Sequence, residues 1–446
     1  MKTILLTLSL TLFYQGPGHT EENRRFAQLL RQAQENNYQL KIQYNNIAIE
    51  SIAKDLKFRE LYFPVVDWSL YAEDQSSKGG PLTNAHALTS DPLVYSSELS
   101  LSYNLFNGLK DYNALLSARS RHSLEKKKHT KEQEEITFSL KTLSFDLSLE
   151  INKIKILQEQ LAHAKSLKQT ATIRYQKGLI PKVDLERSRL EFLNNSDQLI
   201  VQKERVKSVK LEMSKLIQLD KILAQEFIDL PYLELEKKIT VELNKMKKRG
   251  IDHAVDDLFN DYLHAGIDLA VLKNQLEIAD YEVQVAKAGH YPRLNFKIAH
   301  RLDFHGNYRR HKDDNYTFSM LLTFPIINNF EIQSAVKQEK LRHLNAQYEF
   351  RENKFQAKID IQQICQKLLS LHASFVVAKQ KVQLREQVYQ SALARFKRGS
   401  IPIQDLITDK LDLQNESFSL ATTINDIRKF FLSLQKITGK LSTTGV

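Results

Sequence analysis

Two twelve-residue stretches constrain this chain more than any other feature. Arg174-Tyr175-Gln176-Lys177-Gly178-Leu179-Ile180-Pro181-Lys182-Val183-Asp184-Leu185 recurs as Arg395-Phe396-Lys397-Arg398-Gly399-Ser400-Ile401-Pro402-Ile403-Gln404-Asp405-Leu406, about half of the 446 residues later. Both read Arg-aromatic-x-x-Gly-x-Ile-Pro-x-x-Asp-Leu, so the sequence reads as an internal duplication. Each copy has the chemistry of a helix-to-helix turn. Glycine tolerates the left-handed conformation that ends a helix. Proline fits the first turn of the next helix, where its missing N–H costs nothing. An Asp three residues on favours that helix's positive end.

The segments around each turn repeat as well. The first repeat is expected over 21–219. It opens with a helix over Glu21 to Phe58 and continues with strands over 61–72 and 94–106. A long helix over 107–175, the turn and a helix over 183–219 follow. A connector over 220–250 leads to the second repeat, 251–440. That repeat has a helix, strands over 291–304 and 316–325, a long helix over 328–396, the turn and a helix over 403–438. Residues 441–446 form a polar tail. At 1.5 Å per residue each long helix is about 100 Å long, and a rod of that length needs partner helices. The helix returning from the first turn covers about half of the long one. The early helix has the missing length and completes the pair if it stacks end to end with the returning one.

The strands alternate cleanly. Pro292, Leu294, Phe296, Ile298, His300, Leu302 and Phe304 share one face of the third strand, against Arg293, Asn295, Lys297, Ala299, Arg301 and Asp303 on the other. Each strand is long enough to cross a bilayer when tilted. Aromatics such as Tyr62, Trp68, Tyr95, Tyr103, Tyr316 and Phe324 stand near strand ends, as in membrane strands. A soluble sandwich core would account for the apolar face. It accounts poorly for Arg293, Lys297, Arg301 and Asp303, which suit a water-filled lumen. Four strands cannot close a barrel, and open edges are not tolerated in hydrocarbon. Several copies must therefore pool strands by cyclic symmetry. Three would supply twelve, but the edges alone do not fix the number.

Composition fits long helices with much exposed surface: charged residues are 26% of the chain, with only 13 Gly and 9 Pro. Residues 1–20 read as a secretory signal, with Met1-Lys2, an apolar run from Ile4 to Tyr14, and small residues Gly16, Gly18 and Thr20 near a cleavage point. An exported chain makes nucleic acid the weakest partner for the net charge of +11, and most of that charge is solvated helix face. The single Cys365 reads as a small core residue.

The duplicated turns, the strand entry Tyr291-Pro292-Arg293-Leu294, and the strand-to-helix passages Leu105-Phe106-Asn107-Gly108 and Phe324-Pro325-Ile326 occur in one order behind that signal. In this the mature chain resembles the TolC-type outer-membrane efflux protein family. The resemblance implies a homotrimer, with a twelve-stranded β-barrel in outer-membrane lipid continued by an α-helical barrel in the periplasm. It implies docking on a periplasmic adaptor and an inner-membrane transporter, and export of drugs, metals, other small molecules or proteins. It places Arg174, Tyr175, Gly178, Ile180, Pro181, Arg395, Gly399, Ile401 and Pro402 at the adaptor-docking tip. The family's acidic entrance residues fall on Asp184 and Asp405, for which charge pairing with a helix N-terminus weighs equally. A gate Tyr of the family falls on Phe396, a locking Arg on Ile401, and a second acid on Thr408, with Asp409 next. That polar lock therefore does not carry over. For Arg174 and Arg395, cation placement at a helix C-terminus is favoured.

An enzyme is not expected, and neither is a cofactor or resident metal. The sequence has no phosphate-binding glycine loop, nucleophile elbow or metal-ligand helix motif, and His305 and His311 are two scattered residues of one polar loop. The alternative kept open is a periplasmic adaptor or helical scaffold of an export complex. An adaptor would need globular β domains, and a scaffold has no use for membrane-type strands.

Overall fold

The structure, a computed structural model, describes residues 19–74, 93–218, 250–305, 312–327 and 329–441. Most of the expected signal, residues 75–92 and 306–311 between the paired strands (with His311), nearly all of the connector and all but the first residue of the polar tail lie outside the described residues.

The elements run α1 (His19–Asn36), α2 (Tyr38–Tyr62), β1 (Val65–Asp74), β2 (Leu93–Phe106), α3 (Lys110–Gln176), α4 (Lys182–Ile217), α5 (Ile251–Ala265), α6 (Ile267–Lys287), β3 (Arg293–His305), β4 (Lys312–Thr323), α7 (Glu331–Lys397) and α8 (Ile403–Ile437). The chain divides into two compact units. One comprises 1–43, 129–270 and 353–446, and the other comprises 44–128 and 271–352.

The second unit carries the sheet. Its order is β1-β2-β3-β4, antiparallel throughout. Register sets like faces side by side: Trp68, Leu99, His300 and Tyr316 align across the strands, as do Val66, Leu101, Ile298 and Phe318. The apolar face is bare, with Trp68 68%, Leu70 67%, Phe318 71% and Leu322 63% exposed. The other face is polar and internally paired. Lys297 Nζ donates to Glu98 at 2.8 Å, and Arg301 donates to Ser96 Oγ at 2.9 Å and to Asp303 at 2.7 Å. The outer edges of β1 and β4 have no partner strand within the described sheet. The ladder departs from side-chain alternation at its ends. β4 starts at Lys312, because backbone pairing with β3 carries Asp313 and Asp314 regardless of their side chains. β1 starts only at Val65, because α2 continues to Tyr62 and Phe63 N–H still donates to Arg59 O at 2.8 Å.

The first unit is helical. The single helix expected over Glu21 to Phe58 is in fact two, broken at Asn37. The Asn37 carboxamide caps α2 by accepting from Gln39 N–H at 2.8 Å and Leu40 N–H at 3.3 Å. Its Nδ2 donates to Leu216 O, and Tyr38 N–H donates to Gln218 Oε1 at 2.8 Å. The returning helix α4 thus ends where α2 begins. The same plan recurs at the end of α8. There Gly439, at φ +68°, packs against Ala265, beside the break between α5 and α6. One core between these helices gathers Ala33, Leu40, Ile136, Leu140, Leu147, Met213 and Ile217. Cys365 is fully buried, and burial pushes its thiol up to about 11, as befits a small core residue.

Candidate functional site: the paired interhelical turns

Both turns close their helices in the same way. Gly178 N–H donates to Tyr175 O at 2.8 Å and Leu179 N–H to Arg174 O at 2.9 Å. In the second copy, Gly399 N–H donates to Phe396 O and Ser400 N–H to Arg395 O, both at 3.0 Å. These paired bonds satisfy carbonyls that a helix end leaves open. They need φ of +71° at Gly178 and +78° at Gly399. No atom lies within 4 Å of a Cβ placed on either glycine, so backbone conformation alone calls for glycine here. Pro181 and Pro402 do not sit in the first helical turn as the sequence suggested. Each is the extended residue before it, at ψ 158° and 159°. A fixed φ and a missing N–H are equally free of cost there, and Pro181 O still accepts from Asp184 N–H at 3.1 Å.

The two copies then diverge. Arg174 does not serve its own helix. Its guanidinium donates to Phe396 O at 3.2 Å and Lys397 O at 3.1 Å, which places a cation at the C-terminus of α7. It also lies 4.5 Å from the centre of the Phe396 ring. Phe396 is only 4% exposed and belongs to a core with Ala171, Leu185, Tyr389, Ile403 and Leu406. Its ring is therefore packed beneath Arg174 within one chain. Tyr175 and Arg395, the matching residues, are exposed. Nothing in the repeat spacing signals this link, because each partner belongs to the other copy.

Ile180 and Ile401 pack against the same core. The acidic pair is unequal. The Asp184 side chain is 15% exposed, with Arg187 at 3.6 Å. Asp405 is exposed and has no ion pair among the described residues. Thr408 Oγ1 donates to Gln404 O in its own helix at 3.0 Å, and Asp409 is half-buried. Further up the bundle, Lys410 Nζ lies 4.4 Å from the centre of the Tyr389 ring. Burial lowers the affinity of Lys410 for its proton, and Glu386 and Glu159 oppose that effect. Among the described residues no cluster of three His, Cys, Asp or Glu side chains could hold a metal ion.

Residues 258–440 match the family model described as Outer membrane efflux protein. No curated protein matches the chain. Several solved structures share its fold. CusC, described as forming a transmembrane channel, has a TM-score of 0.76 at 13% identity over 96% of this chain and 95% of its own. The CmeC outer membrane channel of Campylobacter jejuni has a TM-score of 0.77 at 14% identity, over 97% and 90%. The outer membrane protein VceC of Vibrio cholerae has a TM-score of 0.75 at 15% identity, over 93% and 96%. The duplicated helix–strand–strand–helix plan with this sheet gives the chain a TolC-like channel fold, and its second half matches the outer membrane efflux protein family.

Proposed function

We propose that three copies of this chain form the exit duct of a tripartite efflux or secretion system, receiving substrate from an inner-membrane transporter through a periplasmic adaptor. The carrying observation is the sheet: one bare apolar face, one ion-paired polar face, and two unpaired edges. In hydrocarbon such edges must pair, and copies arranged head to tail pair β4 of one with β1 of the next. Exposed apolar residues on the helices, such as Ile52 and Leu56 on α2, Leu193 and Leu211 on α4, and Tyr348 and Phe355 on α7, gain cover from the same assembly. Bonding of the helical backbone is complete within each rod, so the helices extend through water into the periplasm while the sheets sit in the outer membrane.

The paired turns form the end of the helical part that meets the adaptor. Leu179, 68% exposed, and Ser400, also exposed, give it a projecting surface. Asp405 is the free carboxylate at the entrance. With Ile401 and Thr408 in place of a polar lock, closure rests on the packing of Phe396 under Arg174 within each chain.

The test is single-channel conductance of protein extracted from outer membranes, with trimer migration checked on unheated gels. Asp405→Asn is expected to weaken block by divalent cations, and Asp184→Asn to do so less, given its Arg187 neighbour. A soluble periplasmic monomer would overturn the duct. Unchanged cation block in both variants would overturn the entrance role.

A further inference from the structure

We propose that the cavity between α3, α7 and α8, in the helical unit above the turns, is a binding site for an organic ammonium ion that carries both an N–H and an apolar body. The cavity measures about 690 Å³, within the range of small-molecule sites. Gln160 stands in its wall and is 5% exposed, yet its Oε1 has no hydrogen-bond partner. A buried acceptor left unpaired costs free energy, so a donor in the cavity would favour a turn of this carboxamide toward it.

The charge of the lining specifies what kind of donor. Two carboxylates, Glu159 and Glu386, face one ammonium, Lys410. Lys410 is already engaged with the Tyr389 ring at 4.4 Å. Glu159 holds no salt bridge among the described residues, and Glu386 accepts only a neutral bond, from Gln390 Nε2 at 2.6 Å. The nearby cations are taken: Arg385 pairs with Asp412 at 2.9 Å and Lys381 with Glu416 at 3.5 Å. Lys410 is attracted to both Glu386 and Glu159, which leaves the lining one carboxylate in excess, and a cation entering the cavity meets that surplus charge. Ile156, Val382 and Leu413 add an apolar wall, which favours a cation with a hydrophobic body over a bare metal ion. A neutral donor such as water would satisfy Gln160 but would leave the surplus negative charge of the two exposed carboxylates to solvent alone. A quaternary ammonium would satisfy the carboxylates but not Gln160.

The test is a fluorescence titration of the full-length assembled protein in detergent with dansylcadaverine, a primary ammonium on an apolar fluorophore. Dansylamide, which lacks the cation, measures partition into the micelle. Saturable binding of one dansylcadaverine per chain is expected, with its N-trimethyl derivative binding about tenfold more weakly, the weight of one charge-assisted hydrogen bond. Gln160→Leu should abolish that discrimination, and Glu386→Gln should weaken both cations by several-fold. If Gln160→Leu does not assemble, Glu159→Gln and Glu386→Gln, which preserve shape, carry the test. Binding no stronger than that of dansylamide, or unchanged by these substitutions, overturns the site. Channel conductance of the same preparation reads the duct separately, so the two proposals fail independently.

Discussion

Replacing Arg174 with Met isolates the link between the two turns. Met keeps most of the packing of the aliphatic stem and removes the guanidinium. Three contributions are lost. The bonds to Phe396 O and Lys397 O, at 3.2 and 3.1 Å, are long for charged donors on a half-buried side chain, so together they are worth about 1 kcal/mol. The stacking at 4.5 Å adds about 0.5 kcal/mol, and the cation at the C-terminus of α7 adds about 0.5 kcal/mol. The sum of about 2 kcal/mol corresponds to roughly a 30-fold larger constant for local opening. Hydrogen–deuterium exchange read by mass spectrometry measures this directly, because Arg398, Gly399 and Ser400 donate their amides to Ala394, Phe396 and Arg395 O in the affected turn. Peptides spanning 389–401 should exchange about 30-fold faster, with strand peptides of 93–106 unchanged. Arg174→Lys should fall between, since one ammonium cannot reproduce the planar fork. Exchange within twofold of the parent at 389–401 would refute the reasoning. An equal rise in the strands would show global loosening instead.

Two further outcomes follow from local geometry and charge. Gly178→Ala and Gly399→Ala should each cost only about 1 kcal/mol, the penalty of left-handed backbone. Gly439→Ala and Gly108→Ala should cost several-fold more, because their Cβ atoms would lie 2.3 Å from Ala265 O and 2.6 Å from Tyr291 Cβ; thermal unfolding of the four variants ranks them, and an equal loss in all would contradict the steric argument. Glu134 is 8% exposed, and its Oε2 has no partner. Burial raises its affinity for a proton, as does Asp268, against the pull of Lys436. The folded chain thus holds that proton more firmly than the unfolded one, and stability falls as pH rises from the ordinary Glu value of 4.5 through the folded one. Glu134→Gln should therefore raise the unfolding temperature at pH 7 and leave it nearly unchanged at pH 4; the reverse pattern would mean that the carboxylate is stabilised where it stands.

Much of the fold was legible because it rests on periodicity. The alternation in Leu294 to Leu302 encodes a two-faced strand, and Gly399 followed by Pro402 encodes a helix stop and restart. The break at Asn37 was missed because its cue, an Asn able to cap, lies inside an otherwise unbroken helical rhythm. The offset of Pro181 and Pro402 by one residue was not legible either, since proline serves equally well just before a helix and just inside it.

The site was less legible. Phe396 stands where the resemblance puts a gate residue, and its packing under Arg174, a residue of the other copy, could not be read from the repeat. The paired turns, the duplication and the two-faced strands follow from the sequence alone, because they depend on neighbours three, four or two residues apart. Arg187, three residues after Asp184 where the second copy has Thr408, makes the acidic pair unequal within the sequence itself. The asymmetry between the turns and the unpaired Gln160 belong to tertiary structure. Each is set by side chains from the other half of the chain or from a separate helix, and helix packing brings those together at distances that no local spacing records.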